Sequence, residues 1–294
     1  MLAIDIGGTK LDVGIVDDTG RILVRARRPT HLADPWPGLA DLIDEVLARG
    51  RDLGVAPTSC GVGCGGPMEP GGATVSPLNI TGWRRFPLRD ALTDRLGLPT
   101  FVDNDAKALA LGEGWLGAAA GERNFMAMVV STGVGGGIVL DGRLLDGVAG
   151  NAGHVGHVVV EPDGRRCGCG ARGCLEAEAS GTAIAAISGR PAAEAPAELV
   201  ERAGTLVGRA VAAVVVLLDL RLTVVAGSVA LGYGAPFFAA AQAELDRLGT
   251  IEYADGARIV PAGLGADGPL VGATAVALRS LSSPSRDGTE LTAR

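Results

Sequence analysis

Four side chains suited to a soft or borderline cation lie within two dozen residues. They are His157, Cys167, Cys169 and Cys174, in the segment Gly153 to Glu176, GHVGHVVVEPDGRRCGCGARGCLE. That segment holds two of the three histidines and three of the five cysteines of the 294-residue chain. Three thiolates and one imidazole are the number and type of ligand that a structural zinc ion takes in a tetrahedral shell. Gly164, Gly168, Gly170 and Gly173 let the backbone turn tightly enough for the three sulfurs to converge. The same residues could instead be free thiols in a glycine-rich loop, or one disulfide with a cysteine left over. A disulfide fits less well, because an odd cysteine count and the lack of a signal peptide both suit a reducing compartment. The expectation is a cytoplasmic protein carrying about one zinc per chain.

A second chemistry is suggested by glycine turns between apolar runs. Leu2 to Ile6 and Leu11 to Val16 flank Gly7-Gly8-Thr9-Lys10, and Met126 to Ser131 and Ile138 to Leu140 flank Thr132 to Gly137. Successive backbone N–H groups with no side chain in the way can form an anion-binding concavity, for which phosphate is the obvious guest. Thr9 and Thr132 add hydroxyls and Lys10 a cation, although a lysine after a turn is commonly a solvated surface residue. Asp5 interrupts an apolar strand, and a buried aspartate needs a partner; beside phosphate that partner would be Mg²⁺ or its waters. Neither turn has the P-loop spacing. The second leads into a strand where a dinucleotide fingerprint would lead into a helix. Asp105, at a strand end beside Asn104, is the candidate base for phosphoryl transfer to a hydroxyl. It could equally cap the helix that begins near Ala106.

The elements that must position these groups follow from pattern. A 47% hydrophobic chain with 20% charged residues can bury a substantial core, and 294 residues suffice for two lobes. Aromatic residues make up only 3%, so that core is aliphatic. A net charge of −7 argues against a nucleic-acid surface. No apolar run approaches the roughly 20 residues of a membrane span. Alternation and periodicity predict three opening antiparallel strands, the third at Arg21 to Arg27, then a helix over Trp36 to Leu53. Cys60 to Pro67 reads as a buried strand ending in a Gly65-Gly66-Pro67 loop where backbone can approach a ligand. Leu88 to Leu96 reads as a helix, Thr100 to Val102 as a strand and Ala106 to Trp115 as a helix. In the second half, helices are predicted over Gly181 to Ile187, Ala195 to Leu218, Phe237 to Leu248 and Val271 to Leu281. Strands are predicted at Leu222 to Ala226 and Ile259 to Pro261, and a disordered tail from Ser282. One glycine hairpin opens each half, a loose duplication.

Five motifs in this order resemble the ROK family of repressors, open reading frames and sugar kinases: Asp5 to Lys10, Asp103-Asn104-Asp105, Ser131 to Gly137, His157 with the cysteine cluster through Glu176, and Ala226-Gly227-Ser228. The resemblance spans about residues 2 to 280. It implies an α/β, two-lobed actin-like (ribonuclease-H-like) ATPase fold with a cleft between lobes. The small lobe would be residues 1–104, rejoined by a helix over about 271–281, and the large lobe 105–270, with 282–294 as the tail. It implies ATP and Mg²⁺, a structural zinc, a small-molecule sugar substrate, and a homodimer formed through the large lobe, with no nucleic-acid or membrane partner.

Residue by residue, the resemblance makes Asp105 the general base. Gly66, Asn79, Asn104, His154, His157 and Glu176 would hold the sugar. Asp5, Gly7, Gly8, Thr9, Lys10, Thr132, Gly133 and Gly227 would hold the nucleotide and its metal, and His157, Cys167, Cys169 and Cys174 the zinc. The family's regulators carry a DNA-binding helix-turn-helix before the first motif. Here that motif starts at residue 2, so the expectation is a kinase.

One departure bears on substrate. Glucokinase-type members read Glu-x-Gly-His where this chain has His154-Val155-Gly156-His157. A neutral histidine offers one donor and one acceptor, which suits a substituent such as an N-acetyl carbonyl. The His-x-x-His form resembles bacterial N-acetylmannosamine kinases, whereas Asn79 to Arg84 looks more like actinobacterial hexose kinases. The expected reaction is phosphorylation of the 6-hydroxyl of N-acetylmannosamine. Glucose, an amino sugar or a C7-cyclitol, and a non-catalytic sugar-binding regulator, remain open.

Overall fold

The computed structural model describes residues 1–282. Tight glycine turns and short polar links connect its strands, and these gather into two five-stranded sheets. The first contains β1 (Leu2–Ile6), β2 (Lys10–Val16), β3 (Ile22–Pro29), β4 (Cys60–Cys64) and β5 (Thr100–Asn104), in the order β3-β2-β1-β4-β5. The second contains β6 (Phe125–Val130), β7 (Val134–Leu140), β8 (Arg143–Leu144), β9 (Leu222–Ala226) and β10 (Arg258–Pro261), in the order β8-β7-β6-β9-β10. The two orders are the same, and so are the directions. In each sheet the first three strands are antiparallel and the last two join in parallel. The loose duplication legible in the sequence is therefore a duplication of topology, and the two-lobed α/β architecture is the one that the resemblance implies.

Helices cover the sheets where the sequence has a period of 3.6. On the first sheet α1 (Trp36–Asp52) turns Leu39, Leu42, Ile43 and Val46 inward, joined by α2 (Leu88–Leu96), and the core they close also takes in Leu2, Ile4, Ile6, Val13, Val62 and Val102. On the second sheet α6 (Ala197–Leu218) and α8 (Ala235–Leu248) pack side by side, where Gly204 and Gly208 meet backbone of α8 so closely that no larger residue fits. Between the sheets lies α3 (Asp105–Leu116), against both β7 and α9 (Gly268–Ser282). The last helix returns to pack on β1 and β4. It runs through Ser282, the first residue of the tail expected over 282–294; residues 283–294 lie outside the described residues. Shorter helices α4 (Leu175–Ala179), α5 (Gly181–Ser188) and α7 (Ser228–Tyr233) complete the second half.

Two local expectations change. The second glycine turn is shorter than its composition suggests: Ser131 N–H donates to Gly133 O at 2.9 Å, and β7 already begins at Val134. Gly135, Gly136 and Gly137 are ladder residues paired with β6, not a loop. A methyl group on Gly137 would stand 2.9 Å from Lys107 Cα and 3.0 Å from Ala106 O, so α3 lies directly on that face of the strand, while on the other face one on Gly136 would stand 2.8 Å from Val155 Cγ1. In the same region Asn104, not Asp105, is the cap of α3. Its Oδ1 accepts from Ala106 N–H at 3.0 Å, and Asp105 is the first helical residue.

Candidate active site and metal centre

The first glycine turn is held by its carbonyls. Gly7 N–H donates to Lys10 O at 3.0 Å, while Thr30 donates through its hydroxyl to Gly7 O at 2.7 Å and through its N–H to Thr9 O at 3.2 Å. A methyl group on Gly8 would stand 2.7 Å from Asn79 Cβ, so Asn79 closes over the turn. Lys10 leans onto the sheet, its ammonium 4.0 Å from Asp12, and its side chain is half exposed. Beneath the turn, Asp5 and Asp105 flank Gly63: a methyl group there would meet Asp5 Oδ1 at 3.6 Å and Asp105 Cα at 3.5 Å. Burial raises the Asp5 carboxyl to about 7, and the charge of Asp105 adds to the effect. Burial also raises Asp105 above the usual carboxylate range, against the N–H of Ala106 that it accepts at 2.9 Å.

Beside these carboxylates three substrate candidates converge. Gly66, joined to Pro67 by a cis peptide bond, lies where a methyl group would be 3.4 Å from Asn104 Nδ2 and 3.6 Å from His154 Cε1. His154 follows Gly153, whose φ of 97° and close approach to Gly136 O admit no side chain. Burial lowers the His154 pKa, and the neighbouring His157 and Lys107 lower it further, while Glu176 opposes them; the neutral ring is favoured. The centroids of the His154 and His157 rings are 6.0 Å apart.

The second glycine turn is built from the other side. Glu176 Oε2 accepts the Val134 N–H at 2.9 Å, and Thr132 O accepts the Thr182 hydroxyl at 2.9 Å. Asn79, Thr132, Gly133 and Glu176 share the lining of a cavity of about 490 Å³ with Arg165 and Arg166. Gly227, the N-cap of α7, has φ 103° and presses on Val130, where Ser131 Oγ and Ser228 Oγ are 2.9 Å apart. Gly227 and His154 do not line that cavity; His154 belongs instead to the cluster with Gly66 and Asn104.

The metal candidates come together as the spacing predicts. The ligand atoms of His157, Cys167, Cys169 and Cys174 all lie within 4.8 Å of one another, with His157 Nδ1 3.7 Å from Cys167 Sγ and Cys169 Sγ 3.7 Å from Cys174 Sγ. All five cysteines are free thiols, so the disulfide alternative falls. Burial, with the sulfurs of Cys169 and Cys167 beside it, pushes the Cys174 thiol up to about 12, a crowding that a divalent cation would relieve. The donor set fits zinc.

Sequence reasoning missed a second group of charges. Lys107 is 2% exposed, and its ammonium lies 3.0 Å from Asp103 Oδ1 and 2.9 Å from Asp146 Oδ1. The signal available was a lysine on an otherwise alanine-rich helix, since Asp103 belongs to β5 and Asp146 lies far along the chain. Arg165, Arg166 and Thr182 carried no signal beyond their neighbours.

A model of the ROK family matches residues 1–280. The chain is 42% identical over 188 residues to a glucokinase of Thermotoga maritima, covering 63% of this chain but only 58% of that protein. It is 38% identical over 253 residues to an N-acetylmannosamine kinase of Citrobacter koseri, covering 79% and 84%. Among solved structures, a ROK family glucokinase from Streptomyces griseus, in complex with glucose and AMPPNP, superposes with a TM-score of 0.79 at 30% identity, covering 93% of this chain and 97% of that one.

Proposed function

The chain belongs to the ROK family, and from that premise we propose that it is an ATP-dependent sugar kinase acting on the 6-hydroxyl of a hexose or N-acylhexosamine, with N-acetylmannosamine the best fit. The observation that carries this reading is the meeting of Gly66, Asn104 and His154, with Asp105 next in the chain and set with Asp5 about Gly63. The identity to the Citrobacter N-acetylmannosamine kinase supports the choice of sugar, and so does His154 as a neutral donor and acceptor. The Thermotoga and Streptomyces glucokinases support glucose as the alternative.

In this reading the N–H groups of Gly8 and Thr9, in the turn that the Gly7 N–H closes onto Lys10 O, and those of Thr132 and Gly133 hold the phosphates of ATP. Lys10 and Gly227 serve the same ligand, the latter on the adenosine side. Asn79, Asn104, His154 and Glu176 orient the sugar, together with the free face of His157. Asp105 takes the proton of the 6-hydroxyl as its oxygen bonds to the γ-phosphorus and ADP departs. Burial makes that carboxylate a stronger base than an exposed one. A magnesium ion arriving with ATP would offset the phosphate charge, and Asp5 would hold it or its waters. Zinc on His157, Cys167, Cys169 and Cys174 would fix the loop that joins His154 to Glu176, so that folding energy becomes substrate orientation.

We divide the lobes at Asn104 and Asp105. A homodimer through the large lobe belongs to the same proposal, supported by an open groove on α6 and α8 in which Ala212, Ala213, Val216, Leu217 and Leu248 lie beside Arg209. Among the described residues no helix is long and apolar enough to cross a membrane. A cytoplasmic site of action is part of the reading, since reduced thiols and ATP are both at hand there.

The test is ADP release over N-acetylmannosamine, N-acetylglucosamine, glucose, mannose, kanosamine and a cyclitol, for wild type and His154→Glu. N-acetylmannosamine should lead in the wild type. The exchange should shift preference toward glucose by about one to two orders of magnitude, the consequence of a mismatched buried polar group costing about 1–3 kcal/mol. An unchanged ratio removes the specificity reading. If no sugar stimulates turnover while one raises Tm, the chain is a sugar-binding protein and not a kinase.

A further inference from the structure

Lys107 is the centre of a closed ring of four charges. Its ammonium meets Asp103 Oδ1 at 3.0 Å and Asp146 Oδ1 at 2.9 Å. Across the ring Arg279 meets the other oxygen of each acid, Asp103 Oδ2 at 3.4 Å and Asp146 Oδ2 at 2.6 Å. Each carboxylate thus bridges both cations. The ring joins three parts of the chain: β5 and α3 on either side of Asn104 and Asp105, the returning helix α9, and the segment that starts at Asp146 and ends at His154. Lys107 also donates to Gly150 O at 3.2 Å, in the middle of that segment. One residue further, the Asn151 carboxamide pairs with the backbone of Met68, its Oδ1 accepting from Met68 N–H at 3.4 Å and its Nδ2 donating to Met68 O at 3.2 Å. The segment is therefore fixed at its root by Asp146, at its middle by Gly150, and against the Gly66-Pro67-Met68 loop by Asn151.

We propose that Lys107 is a positioning residue for the acceptor: by seating residues 146–154 against β5, α3 and the Gly66 loop, it sets the distance between His154 on one side of the acceptor and Asn104 with Asp105 on the other. A buried ammonium between two carboxylates is a costly way to fill space on an alanine-rich helix, and it is stable here because each partner is itself paired. A purely apolar residue at 107 would pack against β7 as well, but it would leave Gly150 O without its donor and would remove one of the two cations that hold Asp146 at the root of the segment. The ring touches no part of the second glycine turn, so the donor side should not feel its loss. This inference rests on the assignment of the acceptor to the Asn104 and His154 cluster.

The experiment uses Lys107→Met, Lys107→Met with Asp146→Asn, and hydrogen exchange on the full chain. Lys107→Met removes one cation and leaves two acids facing Arg279, so it should lower Tm as well as raise the sugar KM by at least about tenfold, with the KM for ATP within about twofold of wild type. Adding Asp146→Asn restores charge balance and should recover most of the lost Tm, yet the sugar KM should stay high because the seat is still missing. If the sugar KM returns with Tm, Lys107 is only structural and the proposal fails. It fails equally if the KM values for sugar and ATP rise together. Hydrogen exchange, read without any sugar, should show faster exchange over residues 146–154 in both variants while β6 and β9 are unchanged; unaltered exchange there overturns the proposal. Should wild type phosphorylate no sugar, the kinase reading fails, and the exchange result still decides whether Lys107 seats the segment.

Discussion

Glu176 Oε2 accepts the backbone N–H of Val134 at 2.9 Å, and this bond ties the end of the cysteine-rich loop to the first residue of β7, directly after the second glycine turn. A methyl group on Gly133 would stand only 2.8 Å from the same oxygen. Glu176 therefore shapes the turn with one oxygen, and in the proposed reading the other faces a ligand. Glu176→Ala should cost about 1–3 kcal/mol of stability by orphaning that N–H, and should raise the KM for ATP as well as for sugar. Urea unfolding and steady-state kinetics check both effects. A rise confined to the sugar would mean that Glu176 serves the acceptor alone.

Zinc is the next test. Metal analysis of the purified protein should find about one zinc per chain. Its removal by a strong chelator should lower Tm and abolish sugar-stimulated turnover, both recovering on adding zinc back. Cys174→Ala, which removes a buried ligand, should reproduce the loss and resist rescue. A metal-free protein with full activity and unchanged Tm would remove zinc from the account.

Asp5 makes a pH prediction. Its carboxyl titrates near 7 when folded, against an ordinary value of 3.8. Between those values the folded chain holds the extra proton, so this group's contribution to stability is fully present at low pH and is lost as the pH rises to about 7, with no change beyond. Asp5→Asn should flatten that fall in Tm. Activity should run the opposite way, because a magnesium-bearing donor needs the ionised form: kcat/KM for ATP should climb through about pH 7 in wild type. A wild-type profile flat from about pH 5 to 8 would remove Asp5 from the donor site.

Much of this was legible in the sequence where a residue type has few alternative uses. His157 and three cysteines among glycines predicted a metal centre, and the four ligand atoms do converge. Period-2 and period-3.6 patterns located most strands and long helices, and the two glycine hairpins anticipated two sheets of one topology. What stayed hidden was set by packing at a distance. Gly135 to Gly137 look like a loop by composition, yet they are strand residues, Gly135 and Gly137 kept small by α3 and Gly136 by Val155 and Gly153 on the other face. Asp105 resembles a cap, but its neighbour Asn104 takes that position, and both side chains accept the Ala106 N–H. Lys107 went unread because its partners Asp146 and Arg279 lie far along the chain and only folding brings them to its ring of charges. Short α4 and α7 and the two-residue β8 have too few positions to show a period.

Phosphoryl transfer to a sugar hydroxyl with Asp105 as base can be followed at the phosphorus atom itself. Phosphorus NMR of ATP incubated with N-acetylmannosamine or with glucose tests it most directly, using wild type and Asp105→Asn. Wild type should yield a sugar 6-phosphate and ADP in equal amounts from at least one of the two. Asp105→Asn, which keeps the shape of the side chain and loses its basicity, should slow product formation by about 10²–10⁴-fold while sugar still raises its Tm. No sugar phosphate from either sugar, or undiminished formation by Asp105→Asn, would contradict the account.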